Sequence, residues 1–339
     1  MIILAGDDVI KHVENVHETM LNVFEGIHIE IKAGLYMLDD DCNEVGIACD
    51  HARIACNMIK RRYDKIYEIY EKDIHAKLKK QQYVLDNIDV AIEKQYIKVF
   101  YQPIIRVATG KICGYEALAR WDDPKEGMLS PAEFIGTLEE YHMIHKVDIF
   151  ILNIVCEDIN NLMNEGKKIV PVSVNLSKLD FELLDIFTLT EQITQRYGLS
   201  RDMINIEITE NALNSDSEHI KDGVKKFRDV GYHIWIDDFG SGYSSLNHFL
   251  DYDFDVLKLD LEFLRTFDKH PRAAELIRHI VYGATALGVL PLQEGVESQE
   301  HFDFLRSIKC ERAQGYYFAK PMQLNDSREY TKSKGLEWE

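Results

Sequence analysis

From residue 97 onward the chain alternates short apolar runs with helical stretches, and few folds accept that rhythm. The runs are KVFYQPI (98–104), ICGYEAL (112–118), VPVSVN (170–175), INIEIT (204–209), HIWID (233–237), VLKLD (256–260), VLPLQE (289–294) and QGYYFA (314–319). Apolar runs of this length, rich in β-branched and aromatic residues, read as buried strands. Eight of them joined by mostly helical connections predict an α/β fold, a closed (β/α)₈ barrel. Only RVATGK separates the first two, which is too short for the crossover that parallel neighbours need. That pair is expected as an antiparallel hairpin, making the barrel irregular.

The polar residues at the ends of these runs are Glu116, Asn175, Glu207, Asp237 with Asp238, Lys258, Glu294 and, at the start of the last run, Gln314. In such barrels the C-terminal rim carries the chemistry. Neighbouring residues on a regular strand face opposite ways, so Asp237 and Asp238 can share a side only if the backbone turns there. Read alone, DDFGSG is a polar stop before a Gly/Ser turn. With carboxylates arriving from several strands, it becomes part of a constellation. Converging carboxylates repel and rise in pKa unless cations join them. Mg²⁺ and Mn²⁺ suit an oxygen set without thiols or histidines. One aspartate shared by two ions is the arrangement used for in-line attack on a phosphoryl centre.

The chain of 339 residues carries 39 basic and 58 acidic side chains, a net charge of −19. This balance argues against binding a nucleic-acid polymer or anionic lipid through general attraction. No stretch is long and apolar enough to span a membrane, and MIILAG lacks the features of a signal peptide. The six cysteines form no CxxC, and Cys42, Cys49 and Cys56 recur every seven residues, as on one helix face. Reduced thiols in a cytoplasmic protein are expected.

The spaced motifs YQPI (101–104), YEALARW (115–121), SPAEFI (130–135), SVNLS (173–177), IEITE (206–210), IDDFGSGYSSL (236–246), LKLD (257–260), EGVES (294–298) and QGYYFAKP (314–321) resemble the EAL family of cyclic di-GMP phosphodiesterases. The resemblance covers about 85 to 325 and implies a modified TIM-like barrel whose first strand runs against the others. It implies hydrolysis of cyclic di-GMP to linear pGpG by in-line attack of a metal-activated water. Glu116, Asn175, Glu207 and Asp237 would ligate metal, with Asp237 bridging and Asp238 serving the second ion. Lys258 and Glu294 would position or deprotonate the water, and Gln314 would support the site. Gln102, Leu118 and Arg120 would hold the dinucleotide, Arg120 through phosphate. Glu210 and Glu297 would anchor a mobile loop formed by FGSGYSS, and a homodimer would form through roughly 240 to 285. A receptor binding cyclic di-GMP without turnover, or a barrel enzyme for another phosphate ester, are the other readings. Two departures stand near Glu294: Pro291 would remove a ladder donor inside an interior strand, and Gln293 stands where a small residue is usual.

Before the barrel, ILAGDDV (3–9) looks like a degraded GGDEF signature, with Ala5 and Asp8 replacing its first Gly and its Glu. IKAGLYM (31–37) and ACDHARIACNMIK (48–60) resemble later segments of that domain. Residues 1–56 are expected as a partial GGDEF-like region without cyclase activity, 57–84 as a helical linker, and 85–330 as the barrel. Apolar residues at helical spacing from Ile59 to Ile92 predict one long amphipathic helix over 57–95, broken near Gln81–Gln82. The missing first half of the GGDEF-like region suggests a piece of a longer protein.

Overall fold

The computed structural model describes residues 9–23, 31–38, 45–60, 65–70, 72–213, 217–240, 252–267, 269–270 and 272–339. The chain divides into two compact units, Met1–Tyr83 and Val84–Glu339. In the first, strands Ala33–Tyr36 and Tyr67–Tyr70 pair in parallel, Ala33 opposite Tyr67. The helix between them, Val45–Met58, packs so closely that a Cβ on Gly34 would lie 1.7 Å from the Ala52 carbonyl oxygen. His51 stacks on Tyr70 with ring centroids 4.0 Å apart. Cys49 and Cys56 lie on that helix as free thiols, while Cys42 lies outside the described residues. The GGDEF-like residues 3–8 also lie outside them.

The linker departs from its expectation. Residues 67–70 are a strand, and the helix Lys72–Glu93 passes unbroken through Gln81 and Gln82. The sequence YEIY holds aromatic and β-branched residues that pair well with an existing strand. Their spacing after Ile59 and Tyr63 mimics a helix period.

The second unit is a closed eight-stranded barrel. Its strands are β1 (Ile97–Arg106), β2 (Lys111–Asp123), β3 (Val172–Asn175), β4 (Ile204–Thr209), β5 (His233–Phe239), β6 (Val256–Leu259), β7 (Leu290–Gln293) and β8 (Arg312–Gln314). Neighbours follow chain order from β2 to β8, and β1 closes the ring between β8 and β2. β1 is antiparallel to both neighbours; the other pairings are parallel. The hairpin expected from RVATGK is present, and a further short strand, Gly127–Leu129, pairs antiparallel with the end of β2.

The final strand is displaced from its expected place. It ends at Gln314, because Val296 inserts its backbone between Gln314 and Tyr317: Val296 N donates to Gln314 O at 3.0 Å and Tyr317 N to Val296 O at 2.9 Å. Gly315 permits this approach, since a Cβ there would sit 2.1 Å from Val296 O. Gln314 therefore finishes a strand, as Asn175 does, and Tyr316 and Tyr317 are exposed.

Pro291 sits where its missing donor matters little. Leu290 N donates to Asp255 O and Glu294 N to Leu259 O, so the even-numbered amides of β7 face β6. By alternation the Pro291 nitrogen faces β8, whose ladder begins one position later, at Leu292 opposite Arg312. The unit also runs past residue 330: helix Leu324–Ser333 is followed by Trp338, whose Nε1 donates to Tyr115 Oη at 3.0 Å.

Inside the barrel, Ile104, Cys113, Trp235, Val256 and Leu292 form a separate apolar cluster. Two residues nearer the C-terminal rim on four of these strands stand Gln102, Asp237, Lys258 and Glu294. Alternation along each strand thus sets a polar layer on an apolar floor.

Candidate active site

Lys258 is fully buried at the centre of the polar layer. Its Nζ lies 2.8 Å from Glu207 Oε2, 2.9 Å from Asp237 Oδ1, 2.9 Å from Glu294 Oε1 and 3.4 Å from Glu116 Oε1. Burial works against the ammonium, yet Asp237, Glu116, Glu207 and Glu294 together raise it well above the ordinary lysine value. One cation does not balance this many carboxylates. Glu207 is pushed up to about 8, by burial first and then by Glu116 and Asp237, against the pull of Lys258. Asp238 is pushed up to about 6, by burial and then by Asp237. Glu294 also rises well above the carboxylate range, through burial first, with Asp237 and Glu116 adding to it.

The adjacent aspartates do turn to one side. Asp238 adopts φ +57°, and the β5–β6 register shifts between Ile236 and Phe239. Asp is among the few residues other than glycine that enter this region readily. Asp238 N then donates to Asp237 Oδ1 at 2.9 Å. The result is two carboxylate groups with one shared member. Glu116, Glu207 and Asp237 present oxygens within 4.8 Å of one another, and so do Asp237, Asp238 and Glu294.

These residues fit divalent cations on three counts. All donors are oxygen, Glu207 Oε1 is buried without a hydrogen-bond partner among the described residues, and the raised pKa values mark a deficit of positive charge.

Gln314 joins the charged layer to the amide side of the rim. Its Nε2 donates to Glu116 Oε2 and, at 3.2 Å, to Gln102 Oε1. Gln102 Nε2 donates in turn to Ala319 O at 3.2 Å. Gln102 lies directly opposite Glu116 in the β1–β2 ladder. Leu118 and Arg120 follow Glu116 at alternate positions of β2, both half-buried. Arg120 donates to Ala119 O at 2.8 Å, lies 5.8 Å from the Phe100 ring centre and makes no ion pair among the described residues. Burial draws it below the usual arginine value.

Asn175 ends β3 level with Glu207 on β4 and is half-buried, without a hydrogen bond to the carboxylate cluster. Two residues on, Ser177 starts the helix Lys178–Leu183 with a capping box to Asp180, worth about 1 kcal/mol. Glu210 is buried, and its Oε2 accepts from Gly240 N at 3.1 Å, where residues 241–250 begin. Beyond Phe239 and Gly240 that expected loop lies outside the described residues, as does the chain on to 251. Glu297 is exposed; its backbone amide donates to His301 Nδ1 at 3.4 Å, and Ser298 caps the next helix.

Two neighbours, Asp260 and Lys320, were not singled out from sequence. Asp260 follows Lys258 at an alternate position and helps raise Asp238. Its place in LKLD was the available signal. Lys320 Nζ lies 5.4 Å from the ring centre of Tyr316, which is 58 % exposed although its place in the run QGYYFA suggests core or wall; no periodicity pointed to the lysine.

A model of the EAL domain matches residues 85–321. The chain is 28% identical over 335 residues to the cyclic di-GMP phosphodiesterase PdeR of Escherichia coli, covering 94% of this chain and 50% of that protein. Among solved structures, it resembles an EAL enzyme bound to cAMP and cyclic-di-GMP, with TM-score 0.70 and 27% identity over 77% of this chain and 72% of that one. It likewise resembles the PaMucR phosphodiesterase in complex with c-di-GMP, with TM-score 0.68 and 27% identity over 72% of this chain and 98% of that one. The chain spans about a third to a half of the length of the curated relatives it matches.

Proposed function

The chain belongs to the EAL domain family, and from that premise we propose that it hydrolyses cyclic di-GMP to linear pGpG in a reaction that needs Mg²⁺ or Mn²⁺. The observation that carries this reading is the pair of carboxylate groups sharing Asp237, with Lys258 between them. Glu116, Asn175, Glu207 and Asp237 would hold one ion; Asp237, Asp238 and Glu294 would face the second. Bound divalent cations would offset phosphoryl charge and make water easier to deprotonate.

The chain's own residues do the rest. Glu294 keeps 18 % of its side chain exposed, on the open side of the cluster, which supports its taking a proton from incoming water. Lys258 holds that carboxylate and orients the water beside it. Gln314 fixes Glu116 through its Oε2. Arg120, with no carboxylate partner among the described residues, meets a phosphate of the dinucleotide, while Gln102 and Leu118 line its seat. Glu210 steadies the segment after Asp238 through Gly240 N.

A homodimer through roughly 240 to 285 belongs to the same reading. It is supported by Leu276 and Tyr282, exposed on the helix Ala273–Ala286, and light scattering tests it. The first unit is read as the later half of a GGDEF-like domain without cyclase activity, which its parallel strand–helix–strand order supports.

Chromatography of cyclic di-GMP incubated with the protein, with Mn²⁺ and again with a chelator, tests the main proposal. Linear product only with metal is the expected result. Binding with unchanged dinucleotide would replace the enzyme with a receptor. Equal turnover of a simple phosphate ester would point to another substrate.

Among the described residues no helix is long and apolar enough to cross a membrane.

A further inference from the structure

We propose that Gln293 is a positioning residue that ties the end of β7 to the end of β6 and thereby sets where the Glu294 carboxylate meets Lys258; this rests on the phosphodiesterase reading. Gln293 has no exposed surface. Its Nε2 lies 3.3 Å from Leu259 O, 3.2 Å from Asp260 O and 3.0 Å from Glu294 O. An amide nitrogen has two hydrogens, so these three acceptors share them. The opposite amide orientation would set an oxygen against three carbonyl oxygens, which fixes the one described.

Leu259 and Asp260 directly follow Lys258, and Glu294 directly follows Gln293. On the other side of Glu294, Gly295 takes φ +71°, and a Cβ there would lie 2.6 Å from Leu261 Cβ. Glu294 N donates to Leu259 O at 3.1 Å. The carboxylate is thus flanked by two attachments to one short segment, 259–261. A side-chain clamp made by Gln293 lies before it, and a close backbone approach allowed by Gly295 lies after it. A small side chain at 293 would keep the backbone bond and lose the clamp.

Stability alone does not account for the residue. Among the described residues Gln293 Oε1 is buried without a hydrogen-bond partner, an arrangement that opposes folding. An apolar side chain of the same length would avoid it. What only the glutamine supplies is the donor aimed at Leu259, Asp260 and Glu294.

The test uses the full chain, with Gln293→Met, which keeps length and removes the donor, and Gln293→Ala as a second variant. Melting temperature, Mn²⁺ binding by calorimetry, and kcat and KM for cyclic di-GMP are measured against the unaltered protein. Gln293→Met is expected to melt within about 3 °C of it. KM should stay near its original value while kcat falls about tenfold or more, as misplacement near a reacting centre does. Mn²⁺ should bind more weakly. Unchanged kcat and unchanged Mn²⁺ affinity in either folded variant would overturn the proposal. Unfolding of both variants, or a loss of melting temperature with kcat retained, would make Gln293 structural and overturn it equally. Absence of turnover by the unaltered protein would instead defeat the phosphodiesterase reading, and weaker Mn²⁺ binding by the variants would still be measurable.

Discussion

At the end of the barrel where the parallel strands begin, Arg106 pairs with Glu311 and Glu339, Arg228 and His233 share Asp255, and Arg312 lies 4.9 Å from the Trp235 ring centre. At the end where those strands finish, one lysine faces four carboxylates and a fifth stands beside them. At the first end each of these carboxylates meets a cation, and the ion pairs help the fold. The second is unbalanced, and its excess negative charge works against the fold unless cations arrive. Barrels of this kind keep chemistry at one end and stability at the other. Here the division shows in the sign of the uncompensated charge.

Substitutions should therefore act differently at the two ends. The largest effect is expected for Glu207→Gln. Removing one carboxylate from the crowded layer should lower turnover of cyclic di-GMP about 10³-fold, equivalent to about 4 kcal/mol of barrier. The metal-free variant should melt no lower than the unaltered protein, since a carboxylate strained to about 8 has gone. A clear fall in melting temperature would break the contrast between the ends.

Lys258→Met should do the opposite to stability. Leaving buried carboxylates without their cation should weaken the metal-free protein by about 3–5 kcal/mol. In a unit of this size that lowers melting by roughly 10 °C. Saturating Mn²⁺ should restore part of the loss, because the ions stand in for the missing charge. Calorimetric melting with and without Mn²⁺ measures both. No recovery would show that the lysine is needed for packing rather than for charge.

The smallest effect lies at the balanced end. Asp255, 3.6 Å away, raises the pKa of His233 against the opposing effect of burial. A histidine raised by folding binds more protons when native. Its stabilisation is full below the unfolded value near 6.5 and fades as pH rises through the folded value. His233 is half exposed, so solvent screens the pair to a few tenths of a kcal/mol. The melting difference between the unaltered protein and His233→Gln should be greatest near pH 6 and shrink toward pH 8. A difference growing with pH would assign the wrong sign to the pair.

The barrel was legible because its apolar runs are short, separated and bounded by helical stretches, and the hairpin followed from one short connection. What misled was local. YEIY at 67–70 falls at helical spacing after Ile59, so periodicity alone gave a helix where pairing with Ala33–Tyr36 wins. The last strand ends before the apolar run QGYYFA suggests, because Gly315 looks neutral in a strand pattern. Only the approach of Val296 shows why the chain turns there. The carboxylates were visible one by one at their strand ends. Lys258 lying within reach of four of them was not, since it depends on register around the closed ring. Gln293 could be marked as unusual, yet its role depends on carbonyls from a different strand.

Asp238 imposes a limit on the residue alphabet at its position. The backbone there asks for a side chain that tolerates φ +57°, and the site asks for a carboxylate. Aspartate answers both demands; glutamate answers only the second, asparagine and glycine only the first. A saturation library at 238 would look intolerant for two superimposed reasons. Asparagine and glutamate, assayed side by side, are the pair that would separate the cost in conformation from the cost in charge.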